Sequence, residues 1–214
     1  MKYTLWKATH ATQKLPTNVE DVCLEQFLRL ALTVCDDVIT SGTFHVNIDQ
    51  TNIIYQPVNN YTYEKLSSRQ VAVAGQEEKC ACTLVCGASN DGDLLPFQII
   101  LQGKSNRSLL SPKAMGFDDA TKLKFQFSTF ETMCSYVTAM LVPFWTEKKH
   151  HLNVPLDQPC ILQLDVWVVH HSVTFHTWLD KNFDWIHYHF VPAGTTGIAQ
   201  PCDMGIQHPL KLAV

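Results

Sequence analysis

The stretch CILQLDVWVVHHS, residues 160–172, begins as an apolar run and places a carboxylate, Asp165, where that run ends. A short apolar run of this kind is typical of a buried strand. The charge at its end is open to three interpretations: a turn residue, an ordinary surface acid, or one member of a metal-binding set whose partners lie far away in sequence. The rest of the sequence must decide between them.

Length and composition favour a single soluble domain. The chain has 214 residues, 46% of them hydrophobic, and a net charge of −4. No apolar stretch approaches the roughly 18 residues that span a bilayer, so we expect no membrane partner. The eight cysteines form no paired CxxC motifs, which favours reduced thiols in an intracellular compartment. Only Arg29, Arg69 and Arg107 are arginines, and this poor supply predicts weak binding to duplex DNA.

The order of predicted elements favours an α/β fold with a mixed sheet. Residues 91–92, Asp-Gly, supply a hairpin turn between two apolar segments. The N-terminal helix has Thr17 and Glu20 at capping-box spacing, and Pro143 is expected to bend or end a later helix. The predicted order is helix 17–39, strand 43–49, hairpin strands 79–89 and 94–103, a helix from Ser128, strand 160–165, helix 173–183, strand 185–191, loop 192–205 and a short last helix. Helices are expected on both faces of this sheet.

Three acids stand at element ends: Asp49 and Asp165 after strands, and Asp203 at a helix start. If the two strands are neighbours in the sheet, these carboxylates converge, and they resist ionising together unless cations neutralise them. Carboxylate oxygens suit Mg²⁺ or Mn²⁺, and two such ions support phosphodiester cleavage or transfer. Each acid alone is more often a turn or cap residue.

Four motifs strengthen the metal-site interpretation. They are HVNIDQT at 45–51, DGDLLPFQIILQGKS at 91–105, LQLDVWVVHHS at 162–172 and FVPAGTTGIAQPCDMGIQHPLK at 190–211. In order and context they resemble the DDE-type endonuclease domain of the pogo and Tigger transposases, to which centromere protein B is related. The resemblance implies a ribonuclease H-like fold, a nuclear location, and Asp49, Asp165 and Asp203 as catalytic, metal-binding residues for two Mg²⁺ or Mn²⁺ ions.

The same resemblance assigns roles to other residues. It implies that His170 contacts a phosphate or the leaving group, and that Gln200 orients Asp203 or touches DNA. It also implies phosphate contacts for Lys104 and Lys211. For His170, a hydrogen-bond partner that fixes the turn after Asp165 is an equally common interpretation. For Gln200, Lys104 and Lys211, a hydrogen-bonded loop amide and solvated lysines are the more common interpretations.

The resemblance also sets expectations for the organisation of the chain. We predict a helical lead-in at 1–40 and an endonuclease domain at 41–214, with a shortened last helix. The family's helix-turn-helix domains are not recognisable in this sequence, so DNA is expected to be a weak partner, with a homo-oligomer as a further possibility. Catalysis therefore stays open. The first alternative is a non-catalytic nucleic-acid or chromatin-binding module. The second is an Asp- and His-dependent hydrolase, which is less favoured because the sequence contains no Gly-x-Ser-x-Gly motif.

Overall fold

A five-stranded mixed sheet forms the centre of the protein. The computed structural model describes residues 3–7, 17–54, 61–65, 81–101 and 129–213. The strands are β1 Tyr3–Lys7, β2 His45–Ile54, β3 Tyr61–Lys65, β4 Ala81–Ser89, β5 Gln98–Leu101, β6 Cys160–Leu164 and β7 Ile186–Phe190. The helices are α1 Val19–Asp36, α2 Phe130–Tyr136, α3 Val142–Leu152, α4 Val173–Asn182, α5 Thr196–Ala199 and α6 His208–Ala213. A one-turn 3₁₀ helix covers Gly42–Phe44, and π-helical turns cover Val137–Leu141 and Asp203–Gln207.

The strand order places the two predicted site strands side by side. The order is β5-β4-β2-β6-β7, with β2 antiparallel to β4 and parallel to β6. In the β2–β6 register, Asn47 pairs with Gln163. Continuing that register by two residues puts Asp165 level with Asp49. The prediction of a mixed α/β sheet is therefore confirmed. Strands β1 and β3 form a separate antiparallel pair, so the lead-in contains a strand as well as a helix.

The two faces of the sheet carry different kinds of side chain, because side chains alternate along a strand. On one face, Val46, Ile48 and Leu162 pack against α2, α3 and α4 in a continuous buried core. On the other face, Asn47 and Asp49 meet the C-terminal helical segment. Helices therefore cover both faces, as predicted. The apolar face packs into the core, and the polar face carries the candidate site residues Asn47 and Asp49.

Helix α1 packs more loosely than its sequence suggests. None of its residues is buried, and Phe27 is 65% exposed. The predicted capping box at Thr17 and Glu20 is wrong, because Asn18 is the N-cap and makes no side-chain capping bond. Near its C-terminus the helix is tied to the sheet by a 2.7 Å contact between Oδ2 of Asp37 and Nδ1 of His187. In the described part of the chain, no helix combines the length and apolar character needed to cross a membrane.

Both π-helical turns precede a proline by two residues. Val137–Leu141 is followed by Pro143, and Asp203–Gln207 by Pro209. Proline cannot donate to the carbonyl four residues earlier, and its ring crowds that carbonyl, so a wider turn accommodates it. The N–H of Val142 accordingly donates to the carbonyl of Val137, five residues back. The helix thus continues past Pro143 through a π turn. The prediction was that Pro143 bends or ends the helix, and it does not end it.

Two other local predictions have clear outcomes. The hairpin is confirmed: β4 pairs with β5 antiparallel, and Gly92 supplies the positive φ of 92° in the connecting turn. The helix predicted from Ser128 begins at Phe130 instead, with Thr129 as N-cap in a capping box with Thr132. Ser128 itself lies outside the described residues.

Gly87 on β4 is expected to be intolerant of a side chain. A Cβ there would lie 2.7 Å from the Tyr136 hydroxyl and 3.0 Å from Ile48 Cγ2. Since Tyr136 is fully buried, Gly87→Ala should lower the free energy of unfolding by about 1–3 kcal/mol, as measured by urea denaturation. Tyr136→Phe should recover part of this loss, because the hydroxyl finds no hydrogen-bond partner among the described residues.

Gly197→Ala is the matched control, since a Cβ at that position meets nothing within 4 Å. Equal stability of Gly87→Ala and the wild type would contradict the packing described for β4 and Tyr136.

Candidate active site

Asp49 lies in the middle of the sheet. The predicted strand end at Asp49 is wrong, because β2 continues to Ile54. Pairing of β2 with β6, however, stops at Asn47, so Asp49 lies just beyond the end of the parallel pair. Its side chain is 6% exposed. Oδ1 accepts a 2.7 Å hydrogen bond from the N–H of Gln50, and Oδ2 accepts one from Nε2 of Gln207.

Asp165 directly follows β6 and is held by a buried histidine. Its Oδ1 lies 2.6 Å from Nδ1 of His170, and because a carboxylate only accepts, Nδ1 is the donor. His170 is 1% exposed, and its Nε2 lies 3.4 Å from Sδ of Met133. Its carbonyl accepts a 2.8 Å bond from Nε2 of His176. The four residues between Asp165 and His170 therefore form a loop of fixed shape, which fixes the direction of the Asp165 carboxylate.

A backbone clamp brings Asp203 to the sheet. Cys202, fully buried, donates its N–H to Oδ1 of Asn47 at 2.9 Å and its thiol to the Asn47 carbonyl at 3.2 Å. Nδ2 of Asn47 in turn donates to the Gln163 carbonyl on β6. One asparagine thus ties β2, β6 and the start of the C-terminal π turn together. Asp203, half-buried, opens that turn beside Asp49.

The three carboxylates interact electrostatically, chiefly at Asp49. Burial, followed by the charge of Asp203 and then that of Asp165, raises the pKa of Asp49 from 3.8 to about 7, against the opposing hydrogen bond from the Gln50 N–H. A carboxylate whose ionisation is opposed by two like charges gains free energy when a cation arrives. The charges of Asp203 and Asp165 thus both act on Asp49, and the assignment of all three as catalytic, metal-binding residues stays a prediction.

The three carboxylates are suitable ligands for a divalent cation, but two of them already accept hydrogen bonds from protein groups. Carboxylate oxygens are the ligands that Mg²⁺ and Mn²⁺ prefer. Within the described ranges, no group of three or more His, Cys, Asp or Glu side chains has the spacing of a complete metal-ligand set. Two of the three acids are instead paired with named donors: Asp49 with Gln50 and Gln207, and Asp165 with His170. Of the two other acids, Asp203 has the larger effect on the pKa of Asp49, so Asp49 and Asp203 are the best candidates for a pair that shares an ion.

The other predicted site residues have different environments. Gln200 is fully buried, and neither its amide nitrogen nor its amide oxygen has a partner among the described residues. Its carbonyl accepts a 3.2 Å bond from the N–H of Met204, the residue after Asp203, and its role in orienting Asp203 stays a prediction. Lys211 is exposed, and its Nζ lies 3.3 Å from Oε1 of Gln207. Lys104 lies outside the described residues.

Three residues at the site were missed by sequence reasoning. Asn47 is the clamp described above, and Gln207 contacts Asp49 directly. Sδ of Met133, on α2, accepts a hydrogen bond from Nε2 of Gln50 at 3.1 Å and lies 3.4 Å from Nε2 of His170. The alternation of β2 puts Asn47 on the same face as Asp49, so that residue could have been found. The roles of Gln207 and Met133 depend on tertiary contacts that leave no local signal in the sequence.

A ribonuclease H-like α/β fold with an acidic centre on its polar sheet face is the class of protein that these features define. The description "DDE superfamily endonuclease" fits a family whose model matches residues 78–214, well over half of the chain. The chain belongs to this DDE superfamily endonuclease family. The matched region contains Asp165 and Asp203, whereas Asp49 precedes it and is placed at the site by the structure.

Solved structures share the fold. The chain is similar to a pre-cleavage Mos1 transpososome (TM-score 0.53, 11% identity) and to the Mos1 mariner paired end complex with Mn (TM-score 0.50, 10% identity). The first alignment covers 97% of this chain and 54% of the Mos1 chain, and the second 96% and 53%. The chain thus spans about half the length of the transposase structures it matches. A comparison with curated proteins gives no match.

The raised pKa of Asp49 predicts a particular dependence of stability on pH. The folded chain holds this proton more tightly than the unfolded chain, because the pKa is about 7 rather than 3.8. The free energy of unfolding contributed by this group therefore falls as pH rises through that interval and stays low above it. Asp49→Asn removes the effect. We expect its stability advantage over the wild type to widen by roughly 2–3 kcal/mol between pH 5 and pH 8, as measured by urea unfolding in a chelating buffer.

Asp21→Asn, on the exposed surface of α1, controls for the loss of one negative charge. If the difference in the free energy of unfolding between Asp49→Asn and the wild type is the same at both pH values, the pKa of Asp49 is not raised in the folded chain.

Proposed function

We propose that the chain is a metal-dependent DNA endonuclease domain of transposase origin, in which Asp49, Asp165 and Asp203 hold two Mg²⁺ or Mn²⁺ ions. One set of contacts supports the proposal: the β2–β6 register continues to Asp49 and Asp165, Asn47 holds the turn that begins at Asp203 against β2, and the charges of Asp203 and Asp165 oppose the ionisation of Asp49. Membership of the DDE superfamily endonuclease family supports it. The pogo and Tigger branch is our assignment from the motifs.

Each residue has a role that follows from its contacts. Asp49 and Asp203 are the proposed shared ligands, because the bonds between Asn47 and Cys202 hold the turn that begins at Asp203 against β2. Asp165 is the third ligand, and His170 keeps its carboxylate in one orientation. A bound divalent ion supplies Lewis acidity to the scissile phosphate and lowers the cost of charge on the attacking and leaving oxygens. Lys211 is exposed next to this centre, where a phosphate can approach it.

A non-catalytic DNA-binding domain is the competing function, and one observation favours it. Asp49 is already stabilised by two protein donors, Gln50 and Gln207. An acidic centre that is satisfied by its own chain can persist for structural reasons after cleavage is lost. In both functions the partner is DNA, bound weakly by a chain of net charge −4, and the expected location is the nucleus. We also propose that the chain forms a homo-oligomer.

Plasmid nicking separates the two functions. The wild type should convert supercoiled plasmid to the nicked form in Mg²⁺ or Mn²⁺ but not in a chelating buffer. Asp165→Asn should reduce the rate by at least about a hundredfold, since it removes a ligand charge at the reacting centre. Asp157→Asn, in an exposed turn, should leave the rate unchanged. Gel retardation of DNA by all three proteins is recorded in parallel.

Intact plasmid in every sample, with DNA still retarded on the gel, would favour the DNA-binding domain. Equal nicking by Asp165→Asn and the wild type would overturn the assignment of the catalytic residues.

The orientation of Asp165 predicts a graded effect at His170. His170→Phe keeps an aromatic ring and removes the donor 2.6 Å from Asp165, so the carboxylate loses its fixed direction. We expect the nicking rate to fall by about 10- to 100-fold, with the metal concentration required for half-maximal rate increased. His208→Phe, on the exposed surface of α6, is the control. A rate that falls with no change in the metal requirement would argue against a role through Asp165.

A further inference from the structure

Gln207 occupies one oxygen of the Asp49 carboxylate. Its side chain is 4% exposed, and Nε2 donates to Oδ2 of Asp49. The other oxygen, Oδ1, is held by the Gln50 N–H. Gln207 closes the same five-residue π turn that Asp203 opens. The amide therefore approaches Asp49 from the element that carries Asp203, which is the side from which an ion held by both acids would reach Asp49.

Lys211 fixes which way the amide points. Its Nζ lies 3.3 Å from Oε1 of Gln207, one helical turn further along. A lysine only donates and a carboxylate only accepts, so a single amide orientation satisfies both neighbours: oxygen toward Lys211 and nitrogen toward Asp49. Turning the amide over would break both bonds at once. The partial positive charge of the N–H group is thus directed at Asp49, where it opposes the approach of a cation.

We propose that Gln207 is a positioning residue that acts as a latch, with its carboxamide and a divalent ion competing for Oδ2 of Asp49 and Lys211 holding the latch closed. This inference rests on the proposed metal site. When an ion binds, the amide must leave Asp49. The exposed Lys211 is released at the same time, which frees its ammonium group for a phosphate. Metal loading and the availability of Lys211 are then linked through one side chain.

Metal affinity in the absence of DNA tests the latch. Binding of Mn²⁺ to the 214-residue chain is followed by the loss of the free Mn²⁺ signal in electron paramagnetic resonance. Gln207→Met keeps a side chain of similar size and removes the competing donor. Because a hydrogen bond to a charged group must be broken in the wild type but not in the variant, we expect the variant to bind Mn²⁺ about tenfold more tightly.

Gln26→Met, on α1 and half-buried, is the matched control and should not change the affinity. A merely structural role for Gln207 predicts weaker binding in Gln207→Met, so unchanged or weaker binding overturns the latch. The proposed metal site is tested separately by Asp49→Asn. If that variant binds Mn²⁺ as well as the wild type does, the metal site itself is wrong and the latch falls with it.

A measurement on the wild type covers the case in which Gln207→Met does not fold. The side-chain amide resonance of Gln207 is followed by nuclear magnetic resonance during a Mg²⁺ titration, with Lys211→Met used to confirm its assignment through the shift of that one signal. The latch predicts that the Gln207 signal moves to the position of an amide free of the carboxylate, in proportion to bound Mg²⁺. Saturation with Mg²⁺ while the signal stays in place overturns it.

Discussion

The buried carboxylate of Asp49 is the constraint on which the site depends. It lies in a central strand, 6% exposed, with two further acids around it. A charged group in such a place is stable only if donors or a cation compensate it. The chain supplies donors from β2 itself and from the C-terminal π turn. The Gln50 N–H and the Gln207 amide therefore offset the charge that Asp165 and Asp203 oppose.

The fold separates support from chemistry by using the two faces of one sheet. The apolar face is closed by α2, α3 and α4, whose core includes Trp145, Tyr136 and Phe175, all fully buried. The polar face is organised by Asn47, which joins two strands to the segment that bears Asp203. This clamp joins the Asn47 side-chain amide to backbone groups of Cys202 and Gln163, so the position of Asp203 depends on one buried asparagine. The acidic centre is thus set on rigid elements.

The sheet and its acids were largely predictable from sequence, because their signals are local. The apolar runs of β2 and β6, the Asp-Gly hairpin and the order of elements suffice to place Asp49 beside Asp165. The extension of β2 to Ile54 was not predictable, since the polar residues after Asp49 pair with β4 rather than with a core. The π turns were missed because a proline in a helical pattern usually signals an end. The contact of Gln207 with Asp49 joins residues 158 positions apart, a separation that no periodicity reports.

The central claim is that Asp49, Asp165 and Asp203 together form a divalent-cation site. Anomalous X-ray diffraction from crystals of the chain soaked in Mn²⁺ tests it most directly, because the signal locates the ion without reference to activity. The account predicts an anomalous peak in contact with the carboxylates of Asp49 and Asp203, with Asp165 within reach and Gln207 displaced from Asp49. Peaks found only elsewhere, for example at the exposed pair His150 and His151, with the Gln207 amide still on Asp49, would contradict it.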